Sequence, residues 1–143
     1  MMKLTLDSSV IIAALRKQEP MHHQCRLLLQ QVKEGKYMAL ESAIVLVEVT
    51  AAIRRRTGSR RLARQVRENL LQLDFLFFLE LTESRMNSAA RIGERVSLKG
   101  MDAIIAQVAE EEDSVLVTLD REFAEKVAEI VSVEEVEKLL AEG

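Results

Sequence analysis

Acidic side chains in unusual settings carry the strongest chemical signal in this sequence. At helical spacing, the neighbours of Glu48 three and four residues away are Ile44, Val45, Ala51 and Ala52, all apolar. A carboxylate on such a face loses its water, which is costly without a partner. No Lys or Arg stands one turn away to supply one. Asp7 and Asp120 each follow a short apolar run of β type, and Asp102 opens a helix just after Gly100. Taken singly, each aspartate reads as a helix N-cap, a position that residue favours. Glu48 alone reads as a buried acid bonded to a distant backbone group. Taken together, they bring four carboxylates to one sheet edge, where repulsion raises their pKa values unless a cation intervenes. All-oxygen ligation favours Mg²⁺ or Mn²⁺ over zinc. Ions held this way activate water and stabilise charge building on a phosphoryl group. The hydroxyls of Ser8, Ser9 and Thr118 could orient ligands or water, or serve only turns and caps.

Rare residues exclude most other chemistry. The single cysteine, Cys25, rules out an internal disulfide and any multi-cysteine metal site. The only histidines, His22 and His23, are adjacent, so no HExxH pair exists. The five glycines fit none of the phosphate-cradling or nucleophile-elbow motifs. With no Trp and one Tyr, stacking platforms for single strands are mostly missing. Cys25 and the phenylalanines Phe75, Phe77, Phe78 and Phe123 read as packing, the latter as core or dimer contact.

The elements that must position the acids follow from periodicity and punctuation. Short strands are expected at Lys3–Leu6, Tyr37–Leu40, Phe75–Leu81 and Val115–Leu119, with the aromatic run at Phe75 the best buried. Ile130–Val131 reads as a last strand. Helices are expected over Val10–Arg16, Met21–Glu34, Ser42–Arg56, Arg60–Leu73, Thr82–Val96, Asp102–Glu112 and Arg121–Ala128. Ser132 with Glu135 three residues on predicts a capping box for a final helix. Strands alternating with helices imply crossover connections. The expected fold is a three-layer α/β/α sandwich with a short, mostly parallel central sheet. In such sheets, sites form at the carboxyl ends of the strands. A length of 143 residues with 48% hydrophobic content fits one domain spanning the whole chain. No apolar stretch is long enough for a membrane span, and Asp7, Ser8 and Ser9 interrupt the N-terminal apolar run, unlike a secretory signal. The expected location is the cytoplasm, with no membrane partner.

The segments Leu6-Asp7-Ser8-Ser9-Val10-Ile11-Ile12, Val47-Glu48-Val49, Gly100-Met101-Asp102-Ala103-Ile104-Ile105-Ala106 and Leu116-Val117-Thr118-Leu119-Asp120-Arg121-Glu122-Phe123 resemble the PIN domain. More narrowly, they resemble the VapC toxins of toxin–antitoxin pairs. The four segments come in the family's order and span nearly the whole chain. The resemblance implies Mg²⁺- or Mn²⁺-dependent endonuclease activity on RNA. It also implies a homodimer, inhibited when a VapB-like antitoxin occupies the active-site groove. Carried over, Asp7 and Asp102 are the central metal ligands, and Glu48 and Asp120 complete the catalytic set. Glu122 falls where some members carry a further acid, but two residues beyond Asp120 it turns away.

Charge is divided along the chain. Residues 1–101 hold 17 Lys/Arg against 10 Asp/Glu, and residues 102–143 hold 3 against 13, so a net −3 hides two opposed halves. The basic half concentrates in Arg54, Arg55, Arg56, Arg60, Arg61, Arg64 and Arg67, with no acid among them. Such a block could grip RNA phosphates, dock an acidic antitoxin segment, or form a solvated helical hairpin. Two other functions stay open at this point: a PIN nuclease of RNA processing or DNA cleavage without an antitoxin, and a non-enzymatic metal-binding scaffold.

Overall fold

The computed structural model describes residues 1–142; residue 143, the last of the expected domain, lies outside them. Strand β1 (Met2–Leu6) leads into α1 (Ser8–Leu15) and α2 (His22–Lys33), and β2 (Tyr37–Ser42) into α3 (Ala43–Thr57) and α4 (Arg60–Gln72). Then follow β3 (Leu76–Leu79), α5 (Glu83–Arg95), α6 (Gly100–Glu112), β4 (Val115–Val117), α7 (Arg121–Val127) and α8 (Val136–Ala141). The four strands form one sheet in the order β3-β2-β1-β4, every pair parallel. Helices flank the sheet, as the alternation of strand and helix requires. Helix α6 lies against β1 and β2 with α5 behind it, while α2 lies against β2 with α1 and α8 packed on it.

The central strands explain their own composition. Leu4 and Leu6 of β1 are fully buried, as are Ala39 of β2 and Leu116 and Val117 of β4. Covering both faces of a parallel sheet makes strands read as near-continuous apolar runs. The core continues through Val10, Ile11, Leu28, Val49, Ile105, Phe123 and Leu139. Burying such side chains contributes about 1.5–3 kcal/mol each. Helix starts are fixed locally: Ser42, Ser59 and Thr82 each accept a backbone N–H in the first turn of the helix that follows. At the other end of α3, Gly58 takes φ 70°. That left-handed cap favours glycine and turns the chain directly from α3 into α4, folding the arginine block into a hairpin.

Four expectations are corrected. The run at Phe75–Leu81 is not the best-buried strand: it contributes the short edge strand β3, and Phe77 remains 46% exposed. Its apolar residues serve one sheet edge rather than the centre. Strand β2 runs on to Ser42 instead of stopping at Leu40, which brings Glu41 into the sheet. Ile130–Val131 forms no strand; Val133 makes a single bridge to Leu116 instead. The Ser132 capping box does not form either, because Leu116 N–H donates to the Ser132 carbonyl and Glu134 N–H to that of Leu116. Those bonds pull the segment alongside β4, and α8 starts only at Val136, with Glu135 at its cap.

Candidate metal centre

Asp7 stands at the carboxyl end of β1, between that strand and α1. Its backbone has N-cap geometry, yet its side chain caps nothing. Instead Asp7 Oδ2 accepts from Ser9 Oγ at 2.8 Å and from Thr118 Oγ1 at 2.8 Å. Both hydroxyls also accept a backbone N–H, Ser9 from Leu119 at 3.1 Å and Thr118 from Asp120 at 3.0 Å. Their own protons are therefore free to be donated to Asp7. Two small hydroxyls thus tie the end of β1 to the turn after β4 and fix a carboxylate that is only 6% exposed. The Asp7 amide adds a third link, donating to the Val117 carbonyl at 2.8 Å.

Asp120, in that same turn, does act as a cap: its Oδ1 accepts from Phe123 N–H at 3.1 Å. Its cap role and its exposed position leave the second oxygen available. Phe123, fully buried, anchors the first turn of α7 beneath it. Asp102 lies inside the first turn of α6, which begins at Gly100, and so is not a cap. Burial pushes its carboxyl from the ordinary 3.8 up to about 6, with Asp7 and Asp120 adding to the rise and Lys99 opposing it. Glu48, half-buried on α3, is also raised, first by burial and then by Asp7; the nearby Ser8 hydroxyl and Arg55 pull it back. Glu48 Oε1 is buried with no hydrogen-bond partner.

The four acids therefore feel one another across the strand ends, and none takes part in an ion pair among the described residues. No three of them, among the described residues, close on one point near enough to form a ready cation site. The donor set still fits a hard divalent cation. It offers only oxygen, an unpartnered buried carboxylate oxygen, and carboxyls whose raised pKa values a nearby positive charge would relieve. Ser8 and Ser9 line a groove of about 370 Å³ together with Glu48, Met101, Arg55 and Arg56.

The arginines are all exposed. Arg56 pairs with Glu19, and Arg67 approaches Glu68 at 3.8 Å; the others have no ion pair among the described residues. They divide between two surfaces. Arg55 and Arg56 face the Glu48 groove, whereas Arg54, Arg60, Arg64 and Arg67 rim a second groove of about 660 Å³ between α3 and α4. Leu46, Val47, Ala51 and Ala63 give that groove an apolar floor. Arg61 lines neither.

One acid beside this centre escapes a reading of the sequence. Glu41, at the end of β2, is fully buried. Its Oε1 accepts from Leu6 N–H at 2.9 Å, and its Oε2 has no partner. Burial holds its pKa well above the usual carboxylate range. The available signal was its place in β2, a strand whose alternate positions Tyr37 and Ala39 are both buried.

The PIN domain family profile matches residues 4–129. The chain belongs to the PIN domain family, a family of nucleases. No curated protein matches it in sequence. Among solved structures, it is similar to VapC20 of Mycobacterium tuberculosis, described as a sarcin-ricin loop cleaving toxin, at TM-score 0.74 and 18% identity over 92% of this chain and 98% of that one. It is similar to FitAcB of Neisseria gonorrhoeae at TM-score 0.70 and 20% identity, covering 93% of this chain and 97% of that chain. It is also similar to VapBC2 of Rickettsia felis, bound to a DNA fragment from its promoter, at TM-score 0.67 and 19% identity over 94% and 98% of the two chains. At these identities the likeness establishes the fold.

Proposed function

We propose that this chain is a divalent-metal-dependent endoribonuclease and the toxin half of a VapBC-type toxin–antitoxin pair. The observation that carries the reading is the set of four carboxylates at the sheet's carboxyl end, without a basic partner and with Asp102 raised to about 6. Asp7 and Asp102 would hold the ion, Mg²⁺ or Mn²⁺, with Glu48 and Asp120 completing the set. When bound, the ion supplies charge neutralisation and polarises water and a phosphoryl oxygen. Ser9 and Thr118 keep Asp7 in one orientation, and Ser8 stands beside Glu48. Asp102 carries a proton in the metal-free protein below about pH 6 and must release it to accept a cation. Affinity for the cation therefore rises as pH passes upward through that value.

The two grooves support two partners. Arg55 and Arg56 flank the Glu48 groove, where guanidinium groups meet the phosphates of an RNA strand. The second groove joins an apolar floor to Arg54, Arg60, Arg64 and Arg67. An amphipathic acidic segment uses both that apolar floor and its arginine rim. Val47 and Ala51 also line the Glu48 groove, so a segment seated in the second groove borders the candidate metal site. That groove suits a VapB-like antitoxin, which favours the toxin reading over a nuclease working without one. The similar proteins named as VapBC and FitAcB support the same choice. A homodimer acting as a single-domain cytoplasmic protein belongs to this reading. No described helix is long and apolar enough to cross a membrane.

The test is cleavage of labelled structured RNA by the purified protein with Mg²⁺, Mn²⁺ or EDTA, beside an identically purified Asp102→Asn variant. Discrete cleavage that needs metal and disappears in the variant is expected. Equal cleavage by both proteins, or none by a folded protein with metal present, overturns the reading.

A further inference from the structure

The backbone pairing of β1 with β2 runs in register through Leu4↔Ala39 and goes no further, leaving the last two residues of β1 outside that ladder. The next rung is supplied by a side chain: Leu6 N–H donates to Glu41 Oε1 at 2.9 Å. The following amide, that of Asp7, is held from the opposite strand by the Val117 carbonyl at 2.8 Å. The two successive peptide units that flank Leu6 are therefore clamped from opposite sides, the first by a carboxyl group of β2 and the second, which leads into Asp7, by a carbonyl of β4. The Glu41 backbone pairs with Phe78 of β3, but its side chain makes no other hydrogen bond among the described residues. It is fully buried, and its second oxygen meets no donor. An apolar residue would fill that position at lower cost, since a buried acid is expensive to desolvate. The one hydrogen bond its side chain makes is to the residue preceding Asp7.

We propose that Glu41 is a positioning residue for the metal centre, fixing the backbone at Leu6 so that Asp7 presents its carboxylate to the cation. The proposal rests on the metal-dependent reading above. Ser9 and Thr118 orient the Asp7 side chain from the β4 side; Glu41 sets its main chain from the β2 side. Glutamine keeps an acceptor for Leu6 N–H, and methionine keeps the length without one.

The experiment compares wild type, Glu41→Gln, Glu41→Met and Leu139→Ala, a core variant on α8. Mn²⁺ affinity is measured by calorimetry, and thermal stability is measured in EDTA. Glu41→Gln binds Mn²⁺ within about twofold of wild type, and Glu41→Met binds about tenfold more weakly, the lower end of the range for groups that support metal ligands. Leu139→Ala loses stability with unchanged Mn²⁺ affinity, which separates positioning from general weakening. RNA cleavage by Glu41→Met recovers at saturating Mn²⁺. Equal Mn²⁺ affinity in wild type and Glu41→Met overturns the proposal while leaving the metal-dependent reading intact; a folded wild type that binds no Mn²⁺ overturns that reading and this proposal with it. Should Glu41→Met fail to fold, amide exchange in the wild type decides. Protection of the Leu6 amide matching that of Asp7, with a shift of its resonance on adding Mg²⁺, supports the clamp. Free exchange or an unmoved resonance overturns it.

Discussion

Replacing Asp102 with Asn makes the metal-free protein more stable near neutral pH, although it removes a residue the proposed function needs. Raising this carboxyl from 3.8 to about 6 corresponds to about 3 kcal/mol at full strength. Asp102 is only half-buried, so solvent screening removes much of that. Its place in the first turn of α6 also favours a negative charge by a few tenths of a kcal/mol. About 1 kcal/mol of net relief remains, which for a chain of this size raises Tm by about 3–4 °C. The sign with pH follows from proton binding. A carboxyl raised in the folded state binds its proton more tightly there than in the unfolded chain. Its cost to stability is thus present above about pH 6 and fades as pH falls toward 4. Calorimetric melting in EDTA, at intervals from pH 4.5 to 8, compares the two proteins. The Tm advantage of Asp102→Asn is greatest at pH 7.5 and nearly gone at pH 4.5. Added Mg²⁺ reverses the order, because only wild type gains binding energy; at a hundredfold excess over Kd that gain is about 2.7 kcal/mol. A variant less stable than wild type at every pH without metal would refute the electrostatic conflict.

Other consequences test the surroundings of the centre. Thr118→Val keeps the shape but removes the donor to Asp7 Oδ2 and the acceptor of Asp120 N–H; urea unfolding should give a loss of about 1–2 kcal/mol, with weaker Mn²⁺ binding by calorimetry. Unchanged Mn²⁺ affinity would mean that Asp7 needs no such support. Burial, reinforced by Glu137, pushes the Cys25 thiol up to about 11, so iodoacetamide at pH 8 labels it only as fast as the protein opens. Labelling within minutes under native conditions would place that thiol in contact with solvent.

The fold class was readable because helices and strands alternate with clear punctuation, and three of the four strands are apolar between turn residues. The failures share one cause, since sequence periodicity says nothing of neighbours. Phe75–Leu81 has the densest apolar composition, yet only tertiary pairing decides which strand is central, and β3 fell at the edge. Residues 130–135 carry a proper capping pattern, but two backbone bonds to Leu116 outweigh a cap. The aspartates proposed for the candidate site stood out because two of them fall in turns at strand ends. Their surroundings were legible in part: Ser8, Ser9 and Thr118 stood out as hydroxyls able to orient ligands or water, but nothing in the sequence said that Ser9 and Thr118 would both bond Asp7. Glu41 was lost by ending β2 at Leu40, two residues too early. Once that strand is carried to Ser42, an acid in a fully covered strand is the most conspicuous residue on it.

The most direct measurement is anomalous scattering from crystals grown with Mn²⁺. A single strong peak between the carboxylates of Asp7 and Asp102, absent in crystals of Asp102→Asn, is expected. Mn²⁺ bound only elsewhere on the surface, or equally in both proteins, would contradict that placement of the metal.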